Sequence, residues 1–220
     1  MVTHPPGLIG MLTRPTGFTA TWPCVIQMTK PSGTKHAVMS GTSIAMQRNV
    51  VVRAFYKSPE LEWLLFIDDD QVFPPDALIR LLDHNVDIVG TVIAGKYAPF
   101  QPWVFFEDAN APGGYRRAEN HEVKSERGLT EVAGVGVGFW LIRKRVLDAF
   151  EDPWFKCGQI NPELVGEDVL FSIEARQKGF KVHVDMGLKV GHLTVMNVIL
   201  NDEGQPMLTH ERFMRRQVVV

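Results

Sequence analysis

The chain has 220 residues, 45% of them hydrophobic and 22% charged, and a formal net charge of −2. A chain of that length buries roughly 70% of its unfolded surface, enough for one substantial core. The near-neutral balance excludes a global basic field for nucleic acid, and two cysteines, Cys24 and Cys157, make neither a disulfide framework nor a zinc motif.

The longest uncharged apolar stretch, 132–142, is eleven residues long and rich in glycine. A membrane-spanning helix needs about 20. The first residues lack the basic start and apolar centre of a secretion signal. A soluble, cytoplasmic protein without a membrane span is expected, in the host cytoplasm if it is encoded by a phage.

In chain order, residues 8–12 read as a first strand and 37–40 as a second, broken by Gly41. Ser43 then has the character of an N-cap, and Ile44, Val51, Val52 and Phe55 recur at helical spacing. The continuous apolar run 63–67 is that of a strand covered on both faces. Pro75-Asp76 opens a helix with Leu78, Leu81 and Leu82 as its apolar stripe, and 86–93 is the next strand. Residues 132–142 read as one further strand, followed by a short helix with Val146, Leu147 and Phe150 on one side. Asn161-Pro162 punctuates the start of a helical region that runs to Gly179, and 181–184 forms a last strand. Strand followed by helix, repeated, predicts an α/β fold with helices flanking the sheet. Residues 97–130 break the alternation, with Tyr97, Phe100, Trp103, Phe105 and Phe106 ahead of a polar stretch; this is a loop or flap excursion.

Four features carry chemistry. Asp68 and Asp70 sit two apart at the carboxyl end of the 63–67 strand, so they project to one side while Asp69 turns the other way. Two converging carboxylates need a cation between them, and a hard divalent ion that completes its shell with substrate phosphates suits that spot. Arg48 shares the apolar helix stripe of Ile44, Val51, Val52 and Phe55, so it must meet an anion or a carboxylate. Glu167 and Asp168 stand at a helix start, favoured there by the macrodipole alone. His192 follows the last strand, and Gly134, Gly136 and Gly138 alternate without the dinucleotide fingerprint.

The set resembles a known family. Residues 64–70 with Phe73-Pro74-Pro75-Asp76-Ala77-Leu78 look like the DXD segment of GT-A fold glycosyltransferases related to family 2. Residues 43–49, ending in Arg48-Asn49, resemble the segment before it, and 134–143 the small-residue strand beneath the sugar. Gly166-Glu167-Asp168 is similar to the Glu-Asp motif, and Gly191-His192 to the metal-binding histidine. The resemblance implies a GT-A, Rossmann-like, mostly parallel central sheet in one domain, 1–193, with 194–220 as a C-terminal tail packing on it.

It further implies Asp70, His192 and Asp68 around Mn²⁺ or Mg²⁺, and Asp168 as general base with Glu167 as fallback, hence inversion at the anomeric carbon. The implied nucleotide-sugar set is Thr13, Arg14, Ser43, Arg48, Asp68, Asp69, Gly134 and Gly136. The donor would be a nucleotide-diphosphate sugar, and the acceptor a hydroxyl of a glycan, a protein or a hydroxymethylated DNA base, as in small phage and prokaryotic transferases. The 97–106 aromatics and Arg212, Arg215 and Arg216 are the residues a DNA acceptor would use. Two rival readings stand beside this one. Asp68-x-Asp70 also fits the nucleophile motif of haloacid-dehalogenase-like phosphatases, although no later Gly-Asp-x-x-x-Asp follows. A non-catalytic nucleotide-sugar binding module would use the same residues.

Overall fold

In the computed structural model, which describes residues 3–14, 19–97, 99–136, 138–160, 163–201 and 203–210, the apolar run at 63–67 becomes an inner strand of a seven-stranded sheet. The elements are β1 (Leu8–Thr13), α1 (Thr21–Gln27), β2 (Lys35–Ser40), α2 (Ile44–Phe55), β3 (Trp63–Asp68), β4 (Gln71–Val72), α3 (Ala77–Asp83) and β5 (Ile88–Val92). There follow β6 (Val104–Glu107), β7 (Tyr115–Arg117), β8 (Leu129–Val132), β9 (Gly134–Val135), β10 (Phe139–Arg143) and α4 (Lys144–Leu147). The chain continues through β11 (Gly158–Ile160), β12 (Glu163–Val165), α5 (Glu167–Gln177), β13 (Val182–Lys189), β14 (Gly191–His192), β15 (Met196–Leu200) and β16 (Pro206–His210).

The sheet order is β2-β1-β3-β10-β5-β13-β8. β10 runs antiparallel to both its neighbours and β8 antiparallel to β13, while the other strands share one direction. The expected mostly parallel α/β sheet flanked by helices is therefore what forms, in a single domain. β3 shows why its sequence is apolar throughout. Leu64 and Phe66 face one core with Val51, Val52 and Phe55 of α2 and Phe171 of α5; Trp63, Leu65 and Ile67 face the other with Leu78, Leu81 and Leu82 of α3. β10 alternates likewise, Trp140 and Ile142 against Phe139 and Leu141.

Three expectations change. Residues 132–142 are not one strand: β9 pairs with β6 in a small sheet, and only β10 enters the central sheet. Continuous apolar character cannot tell one buried strand from two that part at a glycine. The helix expected from 161 begins only at Glu167, after β12, which pairs with β11; Asn161 and Pro162 themselves lie outside the described residues. Gly179 ends that helix at φ +90° as expected. The strand at 182–189 is not the last. β14 follows and pairs with β4, and β15 and β16 form a hairpin. Arg212, Arg215 and Arg216 lie outside the described residues. The stretch 97–130 holds β6 and β7 and leads into β8 at the sheet edge.

One polar side chain ties α2 to the segment after α4. Buried Asn49 donates through Nδ2 to the Phe155 carbonyl at 2.7 Å and accepts the Phe155 N–H at 2.9 Å. Asn49→Ala strands both buried backbone groups, so it should cost about 2–4 kcal/mol in urea unfolding. A loss below about 0.5 kcal/mol would mean that water takes the amide's place.

Candidate active site

β3 ends at Asp68, and the turn that follows is stitched to its neighbours. The Asp69 N–H donates to the Leu12 carbonyl at 3.1 Å, and Thr21 Oγ1 donates to the Asp69 carbonyl at 2.7 Å. Strand alternation does not reach Asp69 and Asp70, which lie in the turn after β3: Asp69 grips Arg14, which donates from its backbone N at 2.7 Å, from Nε at 3.1 Å and from Nη2 at 2.7 Å. The same Nη2 reaches Asp70 Oδ2 at 2.9 Å. Arg14 therefore bridges two of the three acids from the loop after β1.

Asp70 is buried and crowded. Lys96 Nζ also donates to its Oδ2, and Gln71 Nε2 donates to its Oδ1 at 2.8 Å. The β4–β14 pairing sets His192 opposite Gln71, with His192 Nε2 3.4 Å from Asp70 Oδ1. His192 Nδ1 lies 2.7 Å from the Ala94 carbonyl, which can only accept, so Nδ1 carries the proton. In the neutral ring this leaves the Nε2 lone pair facing a carboxylate oxygen. Two acceptors in that position need a cation between them, a proton or a metal ion, and a backbone-anchored imidazole is how ligating histidines are oriented. Burial works to raise the Asp70 pKa, yet hydrogen bonds from His192 and Lys96 hold it well below the usual carboxylate range.

The second half of the site is built on Arg48, only 1% exposed. Its Nε donates to Glu167 Oε1 at 3.0 Å, its Nη2 approaches Asp68 Oδ1 at 3.4 Å, and its guanidinium lies 5.1 Å from the centre of the Phe66 ring. The expectation that this arginine meets a carboxylate holds. Burial pushes the Asp68 carboxyl up to about 7 against the pull of Arg48, with Asp70, Glu167 and Asp168 adding like charge. Asp168 opens α5 with Oδ1 accepting the Val169 N–H at 2.7 Å. Asp68, Gln71, Gly138, Glu167, Asp168 and His192 line a cleft of about 390 Å³ at the carboxyl edge of β3, where open α/β sheets bind ligands. A larger hollow of about 580 Å³ beside the end of α5 is also lined by acids, Glu151, Asp152 and Glu174, but Asp152 is held by Arg53 at 2.6 Å and Glu174 pairs with Lys156 at 3.0 Å.

Of the residues expected in the metal shell, Asp70 and His192 come together, whereas Asp68 is engaged by Arg48. Among the described residues no three His, Cys, Asp or Glu form a metal cage by themselves. Thr13 ends β1 beside Arg14; Ser43 caps α2, accepting the Met46 N–H at 3.4 Å. Gly134 packs on Ser172, and a Cβ at Gly136 would stand 2.5 Å from Trp103 Cβ, so that glycine admits the indole. Lys96 and Gln71 escaped the sequence reading: Lys96 lies in an unpatterned loop, and Gln71 is meaningful only through its contacts.

A carboxyl whose folded pKa is raised gives stability that is complete below its unfolded value and lost as pH climbs through the folded value. In metal-free protein Asp68 should therefore cost stability above about pH 7. Asp68→Asn should raise Tm at pH 8 by about 3–6 °C and by much less at pH 4.5, read by differential scanning fluorimetry in EDTA. An equal gain at both values would show that Asp68 does not titrate in this range.

No family model matches the chain, and no curated protein matches it. Among solved structures it is similar to A197 from STIV, with a TM-score of 0.58 and 17% identity over 92% of this chain and 94% of that one. It is also similar to GalNAc-T7, solved with UDP, GalNAc and Mn²⁺, with a TM-score of 0.56, 10% identity and 84% of this chain covered. The match spans only 43% of that chain. A glycosyltransferase involved in glycosylation of the major capsid of PBCV-1 superposes at a TM-score of 0.33 with 13% identity over 67% of this chain and 68% of that one, too loosely to bear on the fold. At these identities the likeness concerns the fold alone, a mostly parallel α/β sheet flanked by helices. No helix among the described residues is long and apolar enough to cross a membrane.

Proposed function

We propose that the chain is a metal-dependent glycosyltransferase that moves a sugar from a nucleotide-diphosphate donor to an acceptor hydroxyl with inversion. The observation that carries this reading is the Asp70–His192 pair, a carboxylate oxygen and an imidazole Nε2 set 3.4 Å apart with the imidazole anchored through Nδ1. The fold likeness to GalNAc-T7, a structure containing UDP and Mn²⁺, supports it. Asp70 and His192 would hold the ion, with diphosphate oxygens and water completing its shell. When bound, such an ion supplies Lewis-acid stabilisation of the departing nucleoside diphosphate.

The chain's own residues do the rest. Arg14, fixed by Asp69, stands on the β1 side to meet the nucleotide end. Arg48 links Asp68 and Glu167, giving each carboxylate a cation at the cleft floor. Glu167 is committed to Arg48, so Asp168 is the better base. It takes the acceptor hydroxyl proton as that oxygen bonds to the anomeric carbon and the bond to the diphosphate breaks. Gly136 and Gly138 line the cleft where the donor sugar would lie and admit the Trp103 indole and the Gln71 amide, which a Cβ there would strike.

Thermal-shift screening of UDP-, GDP-, CDP- and dTDP-sugars with and without Mn²⁺ should find one nucleotide that stabilises the protein only with metal. No shift with any of them, in folded protein, would sink the reading. With the donor in hand, Asp70→Asn should lower kcat about a thousandfold or more, and Asp69→Asn, acting only through Arg14, about tenfold. Proton NMR of the product should give the inverted anomer; a retained configuration would remove Asp168 as base.

A further inference from the structure

Beyond the reaction cleft lies a second cavity, of about 280 Å³, lined by Lys96, Tyr97, Gln101, Trp103, Arg117 and His192. Trp103 and His192 line both spaces, so a group held in the second one borders the cleft that contains Asp168. We propose that this cavity holds the acceptor, and that the acceptor is a sugar ring bearing an anionic group. The proposal rests on the transferase reading above and names the substrate class it leaves open.

Position is the first argument. Arg14 follows β1, on one side of β3, whereas the 93–103 loop follows β5, beyond β10 on the other side. A donor whose nucleotide lies by Arg14 and whose sugar lies over Asp68 leaves the β5 side for the second substrate.

The lining is the second. Tyr97 and Trp103 are 37% and 40% exposed, large aromatic surface left uncovered at a concave site. The flat C–H face of a sugar ring is the complement of such a surface. Trp103 is held in advance: Arg117 stacks 3.9 Å from its ring centre, and that arginine is itself pinned by the Pro102 carbonyl at 2.8 Å and the Gln101 carbonyl at 2.5 Å. The Trp103 backbone is tied to Ile93 at 2.8 Å and to Gly136 at 2.7 Å. The loop carrying Tyr97 closes through Gly95 to Gln101 at 2.9 Å and holds Phe100 at φ +56°, a left-handed conformation costly for a bulky residue and typical of ligand clamps.

Charge is the third. The charged lining is cationic, Lys96 and Arg117, with His192 beside them and no carboxylate among the lining residues. Lys96 is paired with Asp70, but Arg117 Nη1 has no hydrogen-bond partner among the described residues, and no carboxylate pairs with its guanidinium there. A carboxylate or phosphate on the ring would complete it. A nucleic acid would need a row of phosphate contacts, and the chain offers a net charge of −2 and a cavity of one or two rings.

The test is binding of methyl β-glucoside, methyl β-glucuronide and glucose 6-phosphate to the full chain by saturation-transfer NMR and calorimetry. UDP and GDP with Mn²⁺ and a DNA duplex are run beside them. At least one anionic sugar should bind about tenfold more tightly than the neutral glycoside, with transfer strongest at ring C–H protons; which one wins separates carboxylate from phosphate. Arg117→Met should erase that preference, Arg117→Lys should restore part of it, and Trp103→Ala should abolish transfer to all three. Equal binding of neutral and anionic sugars would overturn the anionic assignment. Loss of UDP or GDP binding in Arg117→Met as large as the loss of sugar would give the cavity to the donor diphosphate and overturn the proposal. Displacement of the sugars by duplex would do the same. Nucleotide binding without any sugar binding sinks this proposal alone. Sugar binding without any nucleotide binding sinks the transferase reading and leaves a sugar site.

Discussion

The crowding of acids at the carboxyl edge of the sheet is the constraint that the rest of the site answers to. Asp68, Asp69 and Asp70 arrive at the end of β3, and Glu167 and Asp168 at the start of α5. Among the described residues Arg48, Arg14 and Lys96 meet Asp68, Asp69, Asp70 and Glu167. Arg48 matters most, because a guanidinium 1% exposed must have partners, and removing one partner from a buried pair typically costs about 3–5 kcal/mol. Its partners come from β3 and α5, so one side chain on α2 ties three elements far apart in sequence. The aromatic core of Phe66, Phe155, Phe171 and Trp140 packs beside the same link, with ring centres 5.4 Å apart for Phe66–Phe155 and 4.6 Å for Phe155–Phe171. Core packing and the charge link therefore set the α2–α5 spacing together.

Some of this was legible in the sequence, for identifiable reasons. β3 was readable because a strand covered on both faces has no polar residue to interrupt it, and Arg48 because a charge on an apolar helix stripe must be explained. The grouping of the acids did not follow from strand alternation: Asp69 and Asp70 lie in the turn after β3 and share Arg14 Nη2, while Asp68 meets Arg48. The direction of β10 was not readable. Antiparallel insertion between two parallel strands leaves no mark on hydrophobic pattern, and the passage from β9 to β10 runs through glycines that fit one bulged strand equally well. Nor could local pattern supply Lys96 or Arg117, whose roles exist only because a loop after β5 folds back on itself. His192 was readable by resemblance, but its tautomer depends on the Ala94 carbonyl, a contact across 98 residues.

Asp68 and Asp70 show how two identical side chains are set to opposite states. Asp70 gathers donors from His192, Lys96, Arg14 and Gln71 and stays ionised far into acid. Asp68, with Arg48 as its cation and three carboxylates around it, is pushed up to about 7. The difference is one of donor supply, because burial acts in the same direction on both. Asp70 therefore keeps its charge across the physiological range, while Asp68 changes charge near neutral pH.

The balance of charge limits what can enter. Acids crowd this edge, and their charge is lower where Asp68 holds its proton. A polyanion approaching such an edge is repelled, since even at an effective dielectric of about 20 a like pair 4 Å apart costs roughly 4 kcal/mol. A divalent ion brought in with the polyanion offsets that charge, and the Asp70–His192 gap is where the geometry leaves it a place. The cationic cavity on the β5 side stands under the opposite rule, because its arginine faces no carboxylate among the described residues. On the proposed reading, the two sides of Trp103 would select by different electrostatics: an anion with its metal on one, an anionic group without one on the other.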